Sequence, residues 1–208
     1  MDTDLQHYIE SQIIPRYATF DRAHAVDHVR TVIAQSLALA AHYPVNREMV
    51  YVIAAYHDTG LSCGREHHHL HAGRILSEDA ALRRWFTEEQ IGVMREAVED
   101  HRASSDHAPR TIYGCIVAEA DRLIEPETIL RRTVQFGLAN YPELDRDAQY
   151  ARYRAHLQDK YAEGGYLRLW IPESDNAQRL ETLRATLHDP AALRRQFDRI
   201  YDQESAAK

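Results

Sequence analysis

Cysteines and long apolar runs are scarce in this 208-residue chain. The two cysteines, Cys63 and Cys115, are too few for a disulfide framework and lack CxxC spacing, as is typical of a protein in a reducing compartment. No run of about 18 apolar residues is present to span a bilayer, and the acidic start Met1–Leu5 lacks a signal-peptide pattern. We therefore expect a cytoplasmic protein that does not contact a membrane.

An excess of positive charge is also absent. The formal net charge is −7 at pH 7, whereas proteins that bind nucleic acid generally carry a basic stripe. We therefore expect no nucleic-acid polymer as a partner. A small phosphorylated substrate is favoured instead, with nucleotides among the candidates.

Helical periodicity covers most of the chain, because apolar residues recur at spacings of three and four. We predict an all-α fold with an extended loop at Gly165–Pro172, where proline and two glycines oppose a strand. Residues 1–140 are expected to form the helical core, and residues 141–208 a C-terminal helical extension packed on the same domain. The predicted helices are 3–18, 26–43, 47–58, 67–82, 87–101, 111–124, 126–138, 145–162, 174–187 and 190–204, with Ser174 as the N-cap of the ninth.

The dipeptide His57-Asp58 carries the strongest chemical signal. It ends the run Met49–Tyr56, which is too apolar to face solvent. Burial of an ionised carboxylate is unfavourable unless another group pairs with it. A metal cation does this, and imidazole together with carboxylate suits a borderline or hard divalent ion.

A second His-Asp dipeptide has a different context. His188-Asp189 is followed by Pro190 and a helical pattern. Aspartate is a preferred N-cap, and proline is favoured at the first position of a helix. We therefore predict that Asp189 caps a helix and has no chemical role.

Three further ionisable residues lie on predicted inner faces of separate helices. His28 lies beside the apolar stripe of one helix, His101 completes the apolar face of another, and Asp121 lies on the inner line of a third. A single core histidine is usually a packing residue. Three such groups together with a buried His-Asp pair are difficult to explain by packing and favour a metal site.

The tract Glu66–His71 adds four histidines at the start of a predicted helix. Such a tract can be a solvated helix start or an adventitious metal binder. Residues one position apart do not share a helix face, so at most one or two of these imidazoles face a common site.

Taken in order, these residues resemble the HD-domain metal-dependent phosphohydrolase superfamily. The resemblance covers roughly residues 20–140 and implies an all-helical HD-domain bundle. The ordered set is far more specific than any one of its members. The matching segments are HVRTV at 28–32, HDTG at 57–60, HHLHAGRIL at 68–76, EAVEDHR at 96–102 and VAEADR at 117–122.

The resemblance implies one or two divalent ions per chain, with Asp58 as the bridge between two. The implied ligands are His28, His57, Asp58 and Asp121 for the first ion, and His68 and His101 for the second. His68 is preferred within its tract because family members carry a small pair four and five residues after the ligand, as Ala72-Gly73 do here. His69 and His71 are the alternatives. The candidate ions are Mn, Fe, Co, Ni, Mg and Zn.

Such a site would hydrolyse a phosphoester or phosphoanhydride bond through a metal-bound hydroxide, and it needs no serine or cysteine nucleophile. Asp58 would be the catalytic carboxylate, and cationic side chains would offset the charge of the phosphate. Arg102 and Arg122 are therefore candidates for catalysis. The candidates for substrate binding are His24, Arg65 and Arg102.

The sequence departs from two better-defined branches of the family. Thr59–Cys63 lacks the lysine that HD-type diadenosine tetraphosphate hydrolases tend to carry after the His-Asp pair, and the GYP extension of cyclic-di-GMP phosphodiesterases is not visible. Two other functions fit the same ligand order. HD-type mixed-valent diiron oxygenases share the six-ligand order, so an oxygenase is the first alternative. The second is a non-catalytic metal-binding module that senses a nucleotide.

Overall fold

The computed structural model describes residues 1–20 and 26–206, and every regular element within these ranges is a helix. The predicted all-α fold is confirmed. None of the described helices is both long and apolar enough to cross a membrane. The α-helices are α1 Thr3–Tyr8, α2 Val26–Leu39, α3 Arg47–Tyr56, α4 His68–Glu78, α5 Glu88–Glu99, α6 Ile112–Arg122, α7 Pro126–Asn140, α8 Arg146–Tyr161, α9 Asn176–His188 and α10 Pro190–Ala206. Shorter helical segments are the π-helix Ile9–Ile13 and the 3-10 helices Ile14–Thr19, Ala40–His42, Thr59–Cys63 and Ala80–Arg84.

The chain divides into two compact units. The first comprises Met1–Leu123 and Trp170–Ser174, and the second comprises Ile124–Leu169 and Asp175–Lys208. Helix α7 falls within residues 1–140, the predicted core. It lies instead in the second unit, because its buried side packs against α8, α9 and α10. The packing of the extension on the core stays a prediction.

Helix α3 is the centre of the first unit. Every residue of Met49–Tyr56 is buried, and α3 contacts α2, α4, α5 and α6. A helix that is apolar on all sides is stable only when it is enclosed, and each large apolar side chain buried here contributes about 1.5 to 3 kcal/mol. The end of α3, where His57-Asp58 follows, therefore lies inside the unit.

Side-chain caps determine where the helices around α3 begin. The Asn46 side chain accepts from the backbone N–H groups of Glu48 and Met49 at 2.9 and 3.3 Å and starts α3. Thr87 and Gln90 form a capping box at the start of α5. These caps satisfy N–H groups that have no partner inside the helix.

Two glycines permit close contacts near the end of α3. A Cβ atom on Gly60 would lie 2.0 Å from the carbonyl oxygen of His68, and one on Gly73 would lie 2.7 Å from Cγ of Glu99. The turn after His57-Asp58 therefore packs directly on the start of α4, and α4 packs closely on α5.

The predicted N-cap of α10 is confirmed, whereas the predicted N-cap of α9 is wrong. Asp189 accepts from the N–H groups of Ala191 and Ala192 at 3.0 and 2.9 Å, so it caps α10 as expected. Ser174 is not the N-cap of α9, because the cap position is Asp175 and the Ser174 hydroxyl donates to the buried Glu119 carboxylate. The predicted extended loop over residues 165–172 is confirmed, since it forms neither helix nor strand.

Candidate metal centre

His57 and Asp58 are buried at the end of α3, with 0% and 3% of their surface exposed. His57 Nδ1 donates to the carbonyl oxygen of Ala54 at 2.7 Å. This bond places the proton of the neutral ring on Nδ1 and leaves the lone pair of Nε2 directed at the site.

The first cluster combines the ends of three helices. His28 on α2 places Nε2 at 3.2 Å from Oδ1 of Asp121, which lies in the last turn of α6. His57 Nε2 lies 3.2 Å from Oδ2 of Asp58 and 3.7 Å from Oδ1 of Asp121. All four side chains predicted to bind the first ion therefore converge.

The second cluster contains His68 and His101. His68 Nδ1 donates to the carbonyl oxygen of Arg65 at 2.8 Å, and His101 Nδ1 donates to that of Val98 at 2.6 Å. Each histidine places Nε2 at 3.5 Å from Oδ1 of Asp58.

Asp58 connects the two clusters. Its Oδ2 faces the Nε2 atoms of His28 and His57, whereas its Oδ1 faces those of His68 and His101. Two ligand atoms that are each about 2.1 Å from one ion are separated by about 3.0 to 3.5 Å at angles of about 90° to 109°. The observed separations of 3.2 to 3.7 Å are close to this range.

The histidine pairs test whether the donor set fits a metal. Nε2 of His68 lies 3.2 Å from Nε2 of His101, and both rings already donate through Nδ1. Two lone pairs directed at each other at this distance repel unless a cation lies between them. Nε2 of His28 lies 3.4 Å from Nε2 of His57, whose Nδ1 likewise donates to a backbone carbonyl group. Two groups of imidazole and carboxylate donors therefore fit divalent ions: His28, His57 and Asp58, and Asp58, His68 and His101.

The pKa values show how the buried charges interact. Burial raises the pKa of Asp58, but His57 and His101 outweigh it and lower this pKa well below its usual range. Burial lowers the pKa of His57, but Asp58 and Asp121 outweigh it and raise it to about 9. Burial and the neighbouring His101 lower the pKa of His68 to about 4. An ionised carboxylate and a neutral imidazole are the forms that bind metal, so the charged His57 ring would lose its Nε2 proton when metal binds and keep the Nδ1 proton that bonds to Ala54.

The predicted arginines occupy different positions. Arg102 is half-buried and donates through a terminal nitrogen to the carbonyl oxygen of Glu66 at 2.8 Å. Arg122 donates to the carbonyl oxygen of His101 at 2.9 Å. Arg65 is exposed and contacts the site through its carbonyl group. His24 lies outside the described residues.

Two other sequence features do not join the clusters. His69 and His71 belong to neither donor group found among the described residues, so His68 is the histidine of its tract that faces Asp58. Gly60–Gly64 has the pattern GxSxG, which forms a nucleophile elbow after a strand. Here it follows a helix, and the Ser62 hydroxyl donates to the carbonyl oxygen of Thr59 at 3.0 Å.

The family comparison agrees with this geometry. A model described as HD domain matches residues 25–125, a range that contains all six side chains of the two clusters. Residues 25–125 of this chain are an HD domain. The resemblance inferred from the ordered residues is thereby confirmed. No curated protein and no solved structure matches the chain significantly.

Sequence reasoning missed two residues that support the HD domain. Glu119 is fully buried and accepts from the backbone N–H of Trp170 at 2.6 Å, which connects the segment Trp170–Ser174 to α6 within the first unit. Its position among apolar residues of α6 was an available signal. Tyr17 contacts the His57-Asp58 turn from 41 residues away, and no local pattern indicates this contact.

Proposed function

We propose that this chain is a metal-dependent phosphohydrolase that cleaves a phosphoester or phosphoanhydride bond of a small phosphorylated metabolite, with nucleotides as the first class to test. The arrangement of Asp58 carries the proposal, because its two oxygens face two different pairs of histidines. A carboxylate in this position suits two ions better than one.

The protein supplies two adjacent positions for divalent ions. His28, His57 and Asp121 flank the first position, and His68 and His101 flank the second. Backbone carbonyl groups hold three of the four imidazoles through Nδ1, so their Nε2 atoms are oriented before metal binds. Ions bound there would lower the pKa of a bound water and hold the oxygens of a phosphoryl group.

Arg102 is the better placed of the two arginines to bind a phosphate. Its positive charge adds to the effects of burial and of His101 that lower the pKa of His68, so this charge acts on the second cluster. Arg122 donates to the backbone of His101. We therefore assign Arg102 to substrate binding and Arg122 to holding His101 in position.

The test is a phosphate-release screen over nucleotides and simpler phosphoesters, combined with elemental analysis of the purified protein. We expect Mn, Fe, Co or Ni to support turnover and a chelator to abolish it. Asp58→Ala should lose metal and activity. The matched control is Asp189→Ala, which removes the carboxylate of the other His-Asp dipeptide and should retain both.

Two outcomes would contradict the proposal in favour of the alternatives. Oxygen-dependent product formation with the EPR signal of a mixed-valent iron pair would identify a diiron oxygenase. Nucleotide binding without phosphate release, across several metals and pH values, would identify a sensor module. Full metal occupancy in Asp58→Ala would contradict the assignment of the site itself.

A further inference from the structure

The C-terminal end of α3 is buried, so its last carbonyl groups need hydrogen-bond donors from protein side chains. His57 and Thr59 donate to two of these carbonyl groups from within the turn. The carbonyl group between them, that of Ala55, accepts from the hydroxyl of Tyr17 at 2.9 Å.

The same hydroxyl also serves the residue after His57. The backbone N–H of Asp58 donates to the Tyr17 oxygen at 3.2 Å, at the point where the chain leaves the helix with φ −106° and ψ 4°. Tyr17 is fully buried and belongs to the 3-10 helix Ile14–Thr19. One hydroxyl therefore joins the backbone on both sides of His57.

We propose that Tyr17 is a positioning residue that sets the orientation of His57 and Asp58 for metal binding. This inference rests on the metal centre of the proposed function. The orientation of the Asp58 backbone determines the direction of its carboxylate, and the two oxygens of that carboxylate face both clusters. A rotation of this turn would displace ligand atoms of both ion positions at once.

Two other buried tyrosines of the first unit distinguish this role from packing. Among the residues that the structure describes, the Tyr51 hydroxyl has no hydrogen-bond partner. Tyr56, directly before His57, donates instead to the carboxylate of Asp79 at 2.6 Å. Phenylalanine at any of these positions removes one buried hydroxyl and keeps the ring, but only Tyr17→Phe leaves the Asp58 N–H and the Ala55 carbonyl without this partner.

The experiment is a calorimetric titration of metal-free protein with Mn²⁺ alone. Loss of a group that orients metal ligands typically weakens metal binding by about 10- to 100-fold, and we expect this loss for Tyr17→Phe. Tyr51→Phe and Tyr56→Phe should keep the wild-type affinity. A Tyr17→Phe protein that binds Mn²⁺ as tightly as wild type would overturn the inference, as would equal losses in all three variants.

A second measurement uses the unmodified chain, because Tyr17→Phe also loses stability. In metal-free wild-type protein, the backbone N–H of Asp58 should exchange with deuterium far more slowly than those of the exposed segment Cys63–His67. Equally fast exchange would show that Tyr17 does not hold the turn before metal binds and would overturn the inference.

Failure of the inference differs from failure of the proposed function. If wild type binds Mn²⁺ and Tyr17→Phe binds it weakly, but no phosphate is released from any substrate, the hydrolase proposal fails and the role of Tyr17 stands. If wild type releases phosphate and Tyr17→Phe binds Mn²⁺ normally, the hydrolase stands and the role of Tyr17 fails. A wild-type protein that binds no divalent ion would overturn both.

Discussion

The chain contains the same dipeptide in two environments. His57-Asp58 lies at the end of an enclosed helix, and its carboxylate faces four imidazoles. In His188-Asp189 both residues are exposed, and the carboxylate accepts from two backbone N–H groups at the start of α10. In water the second carboxylate needs no further partner, whereas the first has lost its hydration and requires cations. The surroundings, and not the dipeptide, therefore determine the chemistry.

The largest expected difference concerns the two histidines. His57→Gln removes a lone pair directed at the first ion position, so phosphate release should fall by more than about 100-fold, beyond the effect of losing an orienting group. His188→Gln changes an exposed side chain in the last turn of α9 and should leave the rate unchanged. Steady-state assays on both variants check this, and equal activities would show that the dipeptides are equivalent.

A smaller effect is expected when the second ion position is removed. His101→Ala keeps the cluster of His28, His57 and Asp121, so elemental analysis should find a decrease from about two ions per chain towards one. The protein should still fold, as judged by its helical circular dichroism. Two ions retained by this variant would show that His101 is a packing residue.

Glu119 provides a buried carboxylate that resembles Asp58 in burial and differs in partners. It accepts from Trp170 N–H and the Ser174 hydroxyl, so protein donors already compensate its charge. Glu119→Gln should lower the free energy of unfolding by about 2 kcal/mol, because bonds to a charged acceptor are replaced by weaker ones. Urea denaturation measures this loss. The number of bound ions should not change, and a loss of metal would place Glu119 in the site.

The smallest expected effect is on the exposed dipeptide. Asp189→Ala removes the cap of α10 and should lower the free energy of unfolding by about 1 kcal/mol. Asp189→Asn keeps an accepting oxygen and should recover most of this stability. Thermal melts of the two variants check the ranking. If Asp189→Ala were as stable as wild type, the cap would have no energetic role.

Arg102 and Arg122 are expected to have different roles within the HD domain. Arg102→Gln should raise KM for a phosphorylated substrate with a smaller change in kcat, since it removes a cation beside the second cluster. Arg122→Gln should instead lower the melting temperature, because its guanidinium donates to the backbone of His101. The reverse pattern would exchange the two assignments.

Local sequence was sufficient to predict most of the fold. Helical periodicity and cap residues depend on neighbours within one or two turns, so each of the ten α-helices in the part of the chain that the structure describes begins within two residues of its predicted start. The first is α-helical only to Tyr8, whereas the predicted helix extends to residue 18, where the chain is instead π-helical and 3-10 helical. The Asp189 cap has the same local origin. His28, His101 and Asp121 were predicted from their positions on or beside apolar helix faces, and His57-Asp58 from the apolar run before it. His68 was preferred within its tract only through the resemblance to the HD-domain family.

Tertiary structure decided what depends on contacts between distant segments. His68 faces Asp58, whereas His69 and His71 do not, because the turn at Gly60 packs against the start of α4. The Ser174 hydroxyl contacts a carboxylate 55 residues away and leaves the cap position of α9 to Asp175. Tyr17 reaches the His57-Asp58 turn across 41 residues. Periodicity indicates which face of a helix is buried, but only the packing of the folded chain determines which atoms meet there.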